Sequence, residues 1–104
     1  MSLAIAYIPC PSRAVARAMA RRLVAKRLIA CANIFQAESL YRWKGKIAEE
    51  KEYILLCKTV KGKFPALRRE VERIHPYSIP CILKIEADAN EKYSDWAASE
   101  MAGK

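Results

Sequence analysis

The chain has 104 residues, 53% of them apolar, and its 19 lysines and arginines outnumber 11 aspartates and glutamates to give a net charge of +8. That length supports one compact core, so a single domain over residues 1–104 is expected. No run approaches the roughly 20 consecutive apolar residues of a membrane span, and no repeat, linker or low-complexity segment interrupts the chain.

The opening MSLAIAYIPCPSR lacks a basic leader and its apolar run stops at Pro9, so it reads as a first strand over 3–9 and not as a signal peptide; a cytoplasmic chain is expected. Ser12 offers an N-cap for a helix to about Leu28, with Val15, Ala16, Met19, Ala20, Leu23 and Val24 toward the core. Its other face carries Arg13, Arg17, Arg21, Arg22 and Lys26, which suits either a solvated surface or phosphate binding. ACANIF (30–35) starts a second strand, Gln36-Ala37 predicts a bulge, and SLYRW resumes the strand up to a tight turn at Lys44-Gly45.

The third strand runs from about Ile47 to Val60. A helix follows with Pro65 in its first turn and Phe64, Leu67, Val71 and Ile74 inward; His75-Pro76 ends it. CILKIEA (81–87) is the fourth strand. Asn90 caps a last helix with Tyr93, Trp96, Ala97 and Met101 facing inward. The order βαββαβ plus a terminal helix predicts an α+β, ferredoxin-like fold: a four-stranded antiparallel sheet, two helices on one face, and a long hairpin.

Such strands of about 13 residues extend on the order of 40 Å, far beyond the roughly 13 Å radius of gyration of a domain this size. The hairpin tip, with Leu40, Tyr41 and Trp43, must therefore project, and self-association that covers it and the second sheet face is expected. Cys10, Cys31, Cys57 and Cys81 form no CxxC pair and read as buried free thiols.

Together SLYRWKGKI, EEKEYILLCKT, IHPYSIP and KRLIACANI resemble the CutA family of divalent-cation tolerance proteins over almost the whole chain. The resemblance implies a ferredoxin-like homotrimer related to PII signalling proteins and a role in metal-ion response. It also implies copper binding through the cysteine of ACANI and the histidine of HPY, here Cys31 and His75. Where some relatives carry a further cysteine in the first strand this chain has Ile8, with Cys10 two positions later; where many carry a glutamate after HPYxxP it has Cys81.

From the residues themselves, His75 suits either a helix cap or a metal ligand. Glu50 and Glu52 alternate onto one face, with Glu49 on the other; Glu50 is a candidate ligand, and ordinary solvation is the alternative. Tyr41, Trp43, Glu52, Lys58 and Tyr77 are candidates for the subunit interface or its cleft. A small anion held there, by analogy with PII proteins, is a second reading. A basic RNA-binding module is a third, but the first strand offers only Tyr7 for base stacking, so nucleic acid is not an expected partner, nor is a membrane. No Ser/His/Asp set, Walker loop, GxGxxG or HExxH occurs, so no enzyme is expected.

Overall fold

In the computed structural model residues 2–102 are described. The strands are β1 (Ser2–Cys10), β2 (Cys31–Trp43), β3 (Lys46–Val60) and β4 (Leu83–Asp88). The helices are α1 (Arg13–Ala25), α2 (Phe64–Ile74) and α3 (Glu91–Glu100). The strands form one sheet in the order β2-β3-β1-β4, with every neighbouring pair antiparallel, which is the ferredoxin-like arrangement with one added helix.

Alternation along the strands divides the sheet into two faces. Ala6, Ile8 and Cys10 from β1 and Leu55 and Cys57 from β3 meet Ala16, Met19 and Leu23 of α1 and Phe64, Leu67 and Val71 of α2 to form the core. The opposite face presents Ile5, Tyr7, Phe35, Leu56, Leu83 and Ile85, and three of these large apolar side chains, Phe35, Leu83 and Ile85, are exposed. At one end of this open face α3 lays Tyr93 beneath the Lys58 ammonium, 5.7 Å from the ring centroid. The Arg27 guanidinium donates to the Glu100 carbonyl and ties α3 to the end of α1.

Four sequence expectations need correction. The β2–β3 register runs unbroken from Cys31↔Lys58 to Trp43↔Lys46, so no bulge occurs at Gln36-Ala37; Gln36 is polar because it stands opposite Tyr53 in a regular ladder, where its amide meets the phenol oxygen. Val24 is exposed, because α1 ends at Ala25 and its buried stripe is Ala16, Met19 and Leu23. Trp96 is exposed too: the buried stripe of α3 is Ser94, Ala97 and Met101, and Trp96 packs sideways on Tyr93. Cys81 is exposed ahead of β4, whereas Cys10 and Cys57 are buried and all four thiols are free.

Helix ends follow local chemistry. The Ser12 hydroxyl accepts from the Val15 N–H as an N-cap, while the Asn90 side chain makes no such bond. At the end of α1, Arg27 takes φ +58°, and the amides of Arg27 and Leu28 return to the carbonyls of Val24 and Leu23, closing the helix as a glycine would. At the hairpin tip Lys44 (φ +50°) and Gly45 (φ +79°) form the left-handed pair that matches strand twist. The long axis of the molecule, 45 Å against 23 and 21 Å, is the direct consequence of this hairpin.

Glu70, nearly buried on α2, accepts from Arg22 of α1 and Arg73 of its own helix, with Lys26 at 3.5 Å. The two guanidinium hydrogen bonds hold its carboxyl down to about 2. A carboxyl depressed in the folded state stabilises the fold above its ordinary value near 4.5, and that stabilisation is lost as pH falls through about 2. Thermal melts between pH 7 and pH 2 should therefore show wild-type stability falling most steeply below about 4.5, while Glu70→Gln melts lower at neutral pH and responds less to acid. Gly45→Ala should cost about 1 kcal/mol in urea unfolding, because its φ demands a left-handed backbone while a Cβ there meets no atom.

Candidate functional site

The pairing that starts at Lys44-Gly45 places Tyr41 opposite Ala48, Ser39 opposite Glu50 and Ala37 opposite Glu52. Tyr41, Trp43, Glu50 and Glu52 thus share the open face, and Glu49 points away. Beside them the segment after α2 brings Tyr77, Ser78, Ile79 and Cys81, enclosing a cleft of about 590 Å³.

Hydrogen bonding sets the charge of this cleft. The Tyr41 hydroxyl donates to Glu50 Oε1 at 2.6 Å and the Tyr77 hydroxyl to Glu52 Oε2 at 2.7 Å. The bond to Glu50 pushes the Tyr41 phenol up to about 12. Burial first, and then the bond to Glu52, raises Tyr77. Both phenols therefore stay neutral hydrogen-bond donors at physiological pH. Among the described residues the salt bridges belong to Glu70, Glu72 and Glu86; none reaches Glu38, Glu50 or Glu52. Glu52 is only 7% exposed, so a carboxylate with a neutral partner alone sits in the wall of the cleft.

His75 is engaged at both ring nitrogens: Nε2–H donates to the Pro9 carbonyl at 2.9 Å, and Nδ1 accepts the Tyr77 N–H at 3.1 Å. These partners set the tautomer and bolt the end of α2 onto β1, with the Tyr77 ring 4.7 Å away and its hydroxyl aimed at Glu52. Cys31 lies elsewhere. It stands opposite Lys58, itself opposite Ile5, and Pro9 is four residues further along β1, or about 13 Å. One chain therefore does not bring Cys31 to His75, nor Lys58 to Tyr41 and Trp43, and no group of three or more His, Cys, Asp or Glu side chains converges among the described residues.

Pro9, Glu38 and Ile79 also line the cleft without having been candidates from sequence, and so does Tyr7, which the sequence suggested only for base stacking. Counting back from the turn would have paired β2 with β3, but nothing local announces that the Tyr7–Pro9 end of β1 lies under the same cleft.

The molecule is thus defined as a ferredoxin-like domain with a projecting hairpin and an acidic, aromatic cleft that runs along the open face of that hairpin. The family model described as CutA1 divalent ion tolerance protein matches residues 4–100, and the chain belongs to that family. It is 43% identical over 94 residues to the divalent-cation tolerance protein CutA of Thermus thermophilus, covering 88% of this chain and 91% of that protein. The Thermococcus kodakarensis relative is 38% identical and spans 99% of this chain and 100% of its own. Among solved structures, a protein of Archaeoglobus fulgidus described as the periplasmic divalent cation tolerance protein CutA superimposes with a TM-score of 0.92 at 37% identity, covering 97% of this chain and 99% of that one. No helix among the described residues is long and apolar enough to cross a membrane.

Tyr77→Phe deletes the one hydrogen-bond donor to buried Glu52 among the described residues and should cost about 1–3 kcal/mol by urea unfolding. His75→Ala removes a donor and an acceptor together and should cost at least as much, with no metal present.

Proposed function

We propose that this protein acts in divalent-cation tolerance as a homotrimer that takes up a divalent transition metal, copper foremost, at the acidic cleft. The observation that carries the cation reading is the set of cleft carboxylates without a basic partner, in a chain whose net charge is +8. Glu50 and Glu52 supply oxygen donors and Cys81 a soft thiol on the same wall, a mixed set toward which copper ranks above its first-row neighbours. One chain gathers too few donors to close a site, so a neighbouring subunit completes it. Cys31 and His75, which the family resemblance points to, meet only if they come from different subunits. The metal is cargo, and no catalytic role is assigned.

Trimerisation is supported by the exposed Phe35, Leu83 and Ile85 of the open sheet face and by Leu40, Tyr41, Trp43 and Ile47 near the hairpin tip, apolar surface of the kind that another subunit covers. The four free thiols suit a reducing compartment, the cytoplasm. A small anion in the same cleft is disfavoured by Glu38, Glu50 and Glu52, which repel it. Base stacking of RNA on the sheet is disfavoured because the covering subunit removes the platform.

Light scattering at 50 and 500 mM salt should give three chain masses in both. Cu(II) titrated into that species should quench Trp43 fluorescence, and Glu50→Gln/Glu52→Gln should weaken binding about tenfold or more while the trimer persists. A monomer sinks the assembly. Unchanged copper affinity in the double variant, with loss in a folded His75→Ala trimer, transfers the site to Cys31 and His75.

A further inference from the structure

We infer that the outer surface of the two-helix layer is a docking strip for the phosphate backbone of duplex nucleic acid. α1 with its cap residue and α2 together expose Arg13, Arg17, Arg21, Arg22, Lys26, Arg68, Arg69 and Arg73, against only Glu70 and Glu72. These eight cations and two carboxylates account for six of the eight net positive charges of the whole chain, gathered on one side. Glu70 is shared by Arg22, Arg73 and Lys26, which leaves positive charge in excess around it, and Glu72 is held by Arg68. Among the described residues Arg17, Arg21 and Arg69 have no carboxylate partner. Arg69, Arg73 and Lys26 line a shallow groove of about 480 Å³ between the helices.

The chemistry of the strip selects the phosphate diester backbone over a lipid surface. Seven of the eight cations are arginines, whose planar forks match phosphate oxygens in a bidentate manner. The exposed residues between them are Ala14, Ala18, Val24 and Ala25, which carry no long apolar chain to enter a bilayer. From Arg13 to Lys26 the row is about 20 Å long, the span of roughly six phosphates of one strand. Backbone binding of this kind needs no exposed aromatic platform, so it is independent of the sheet face. It is also independent of the metal reading. Because the helix layer lies opposite the open face, it stays outward when subunits cover that face, and a trimer would present three strips.

The test is fluorescence anisotropy of a labelled 20-base-pair DNA duplex of arbitrary sequence, with intact protein freed of nucleic acid at high salt. If about five phosphates are neutralised, affinity should fall several hundredfold between 50 and 200 mM salt. Arg17→Glu/Arg21→Glu/Arg69→Glu should abolish binding at 50 mM, and Arg17→Gln/Arg21→Gln/Arg69→Gln, which adds no like charge, should lower it about tenfold or more. Lys44→Glu/Lys46→Glu/Lys92→Glu, the same change in net charge away from the strip, should alter it by less than about threefold. No binding at 50 mM salt overturns the inference, as does equal loss in the lysine control. Binding to vesicles containing anionic lipid without binding to the duplex overturns it in favour of a membrane surface.

Discussion

The unbroken antiparallel pairing of β2 with β3 is the constraint on which the rest of the molecule depends. Its thirteen consecutive pairs hold the hairpin straight past the end of β1 and past the helices. Over the core half, side chains on one face are buried by α1 and α2. Beyond it, one face of the ribbon lies bare and the other meets only the Tyr77–Cys81 segment, which buries Glu52 and leaves Leu40, Tyr41, Trp43 and Ile47 exposed. A lone two-stranded ribbon is marginal in water, so the same pairing that builds the sheet also creates surface that must be covered, and it delivers Tyr41, Trp43, Glu50 and Glu52 to the edge of that surface.

Charge is distributed with comparable consequence. The helix layer holds most of the net positive charge, and its one nearly buried carboxylate, Glu70, is bound on two sides by guanidinium groups. On the hairpin face Glu50 and Glu52 take their hydrogen bonds, among the described residues, from phenols alone. A neutral donor orients a carboxylate without cancelling its charge, so Glu50 and Glu52 remain able to attract a cation, whereas Glu70 is already neutralised. The two poles of the molecule therefore suit opposite partners: a metal ion on one side and a polyanion on the other.

His75 shows how a residue that attracts a chemical reading can be absorbed by architecture. Its two ring nitrogens are spent on the Pro9 carbonyl and the Tyr77 amide, and through those bonds it sets where the Tyr77 hydroxyl falls. The imidazole acts on the cleft through Tyr77. Cys31, four residue steps away along the strand direction, belongs with Lys58 and Tyr93 at the opposite end of the open face.

Local chemistry in the sequence determined the element order, the turn at Lys44-Gly45, the Ser12 cap, the stop at His75-Pro76 and the one-face alternation of Glu50 and Glu52, because each depends on backbone sterics or periodicity within a few residues. Hydrophobic patterning alone misjudged Val24 and Trp96, since a helix stripe is legible only to within its edges, and it mistook Gln36 for a bulge, since polarity in a strand also marks where the helix cover ends. Tertiary structure alone decided that Tyr77 lies on Glu52, that Tyr7 and Pro9 underlie the cleft, and that Cys31 is remote from His75. Those placements depend on which strand occupies the centre of the sheet and on how the segment after α2 crosses it, contacts between residues dozens of positions apart that no local pattern encodes.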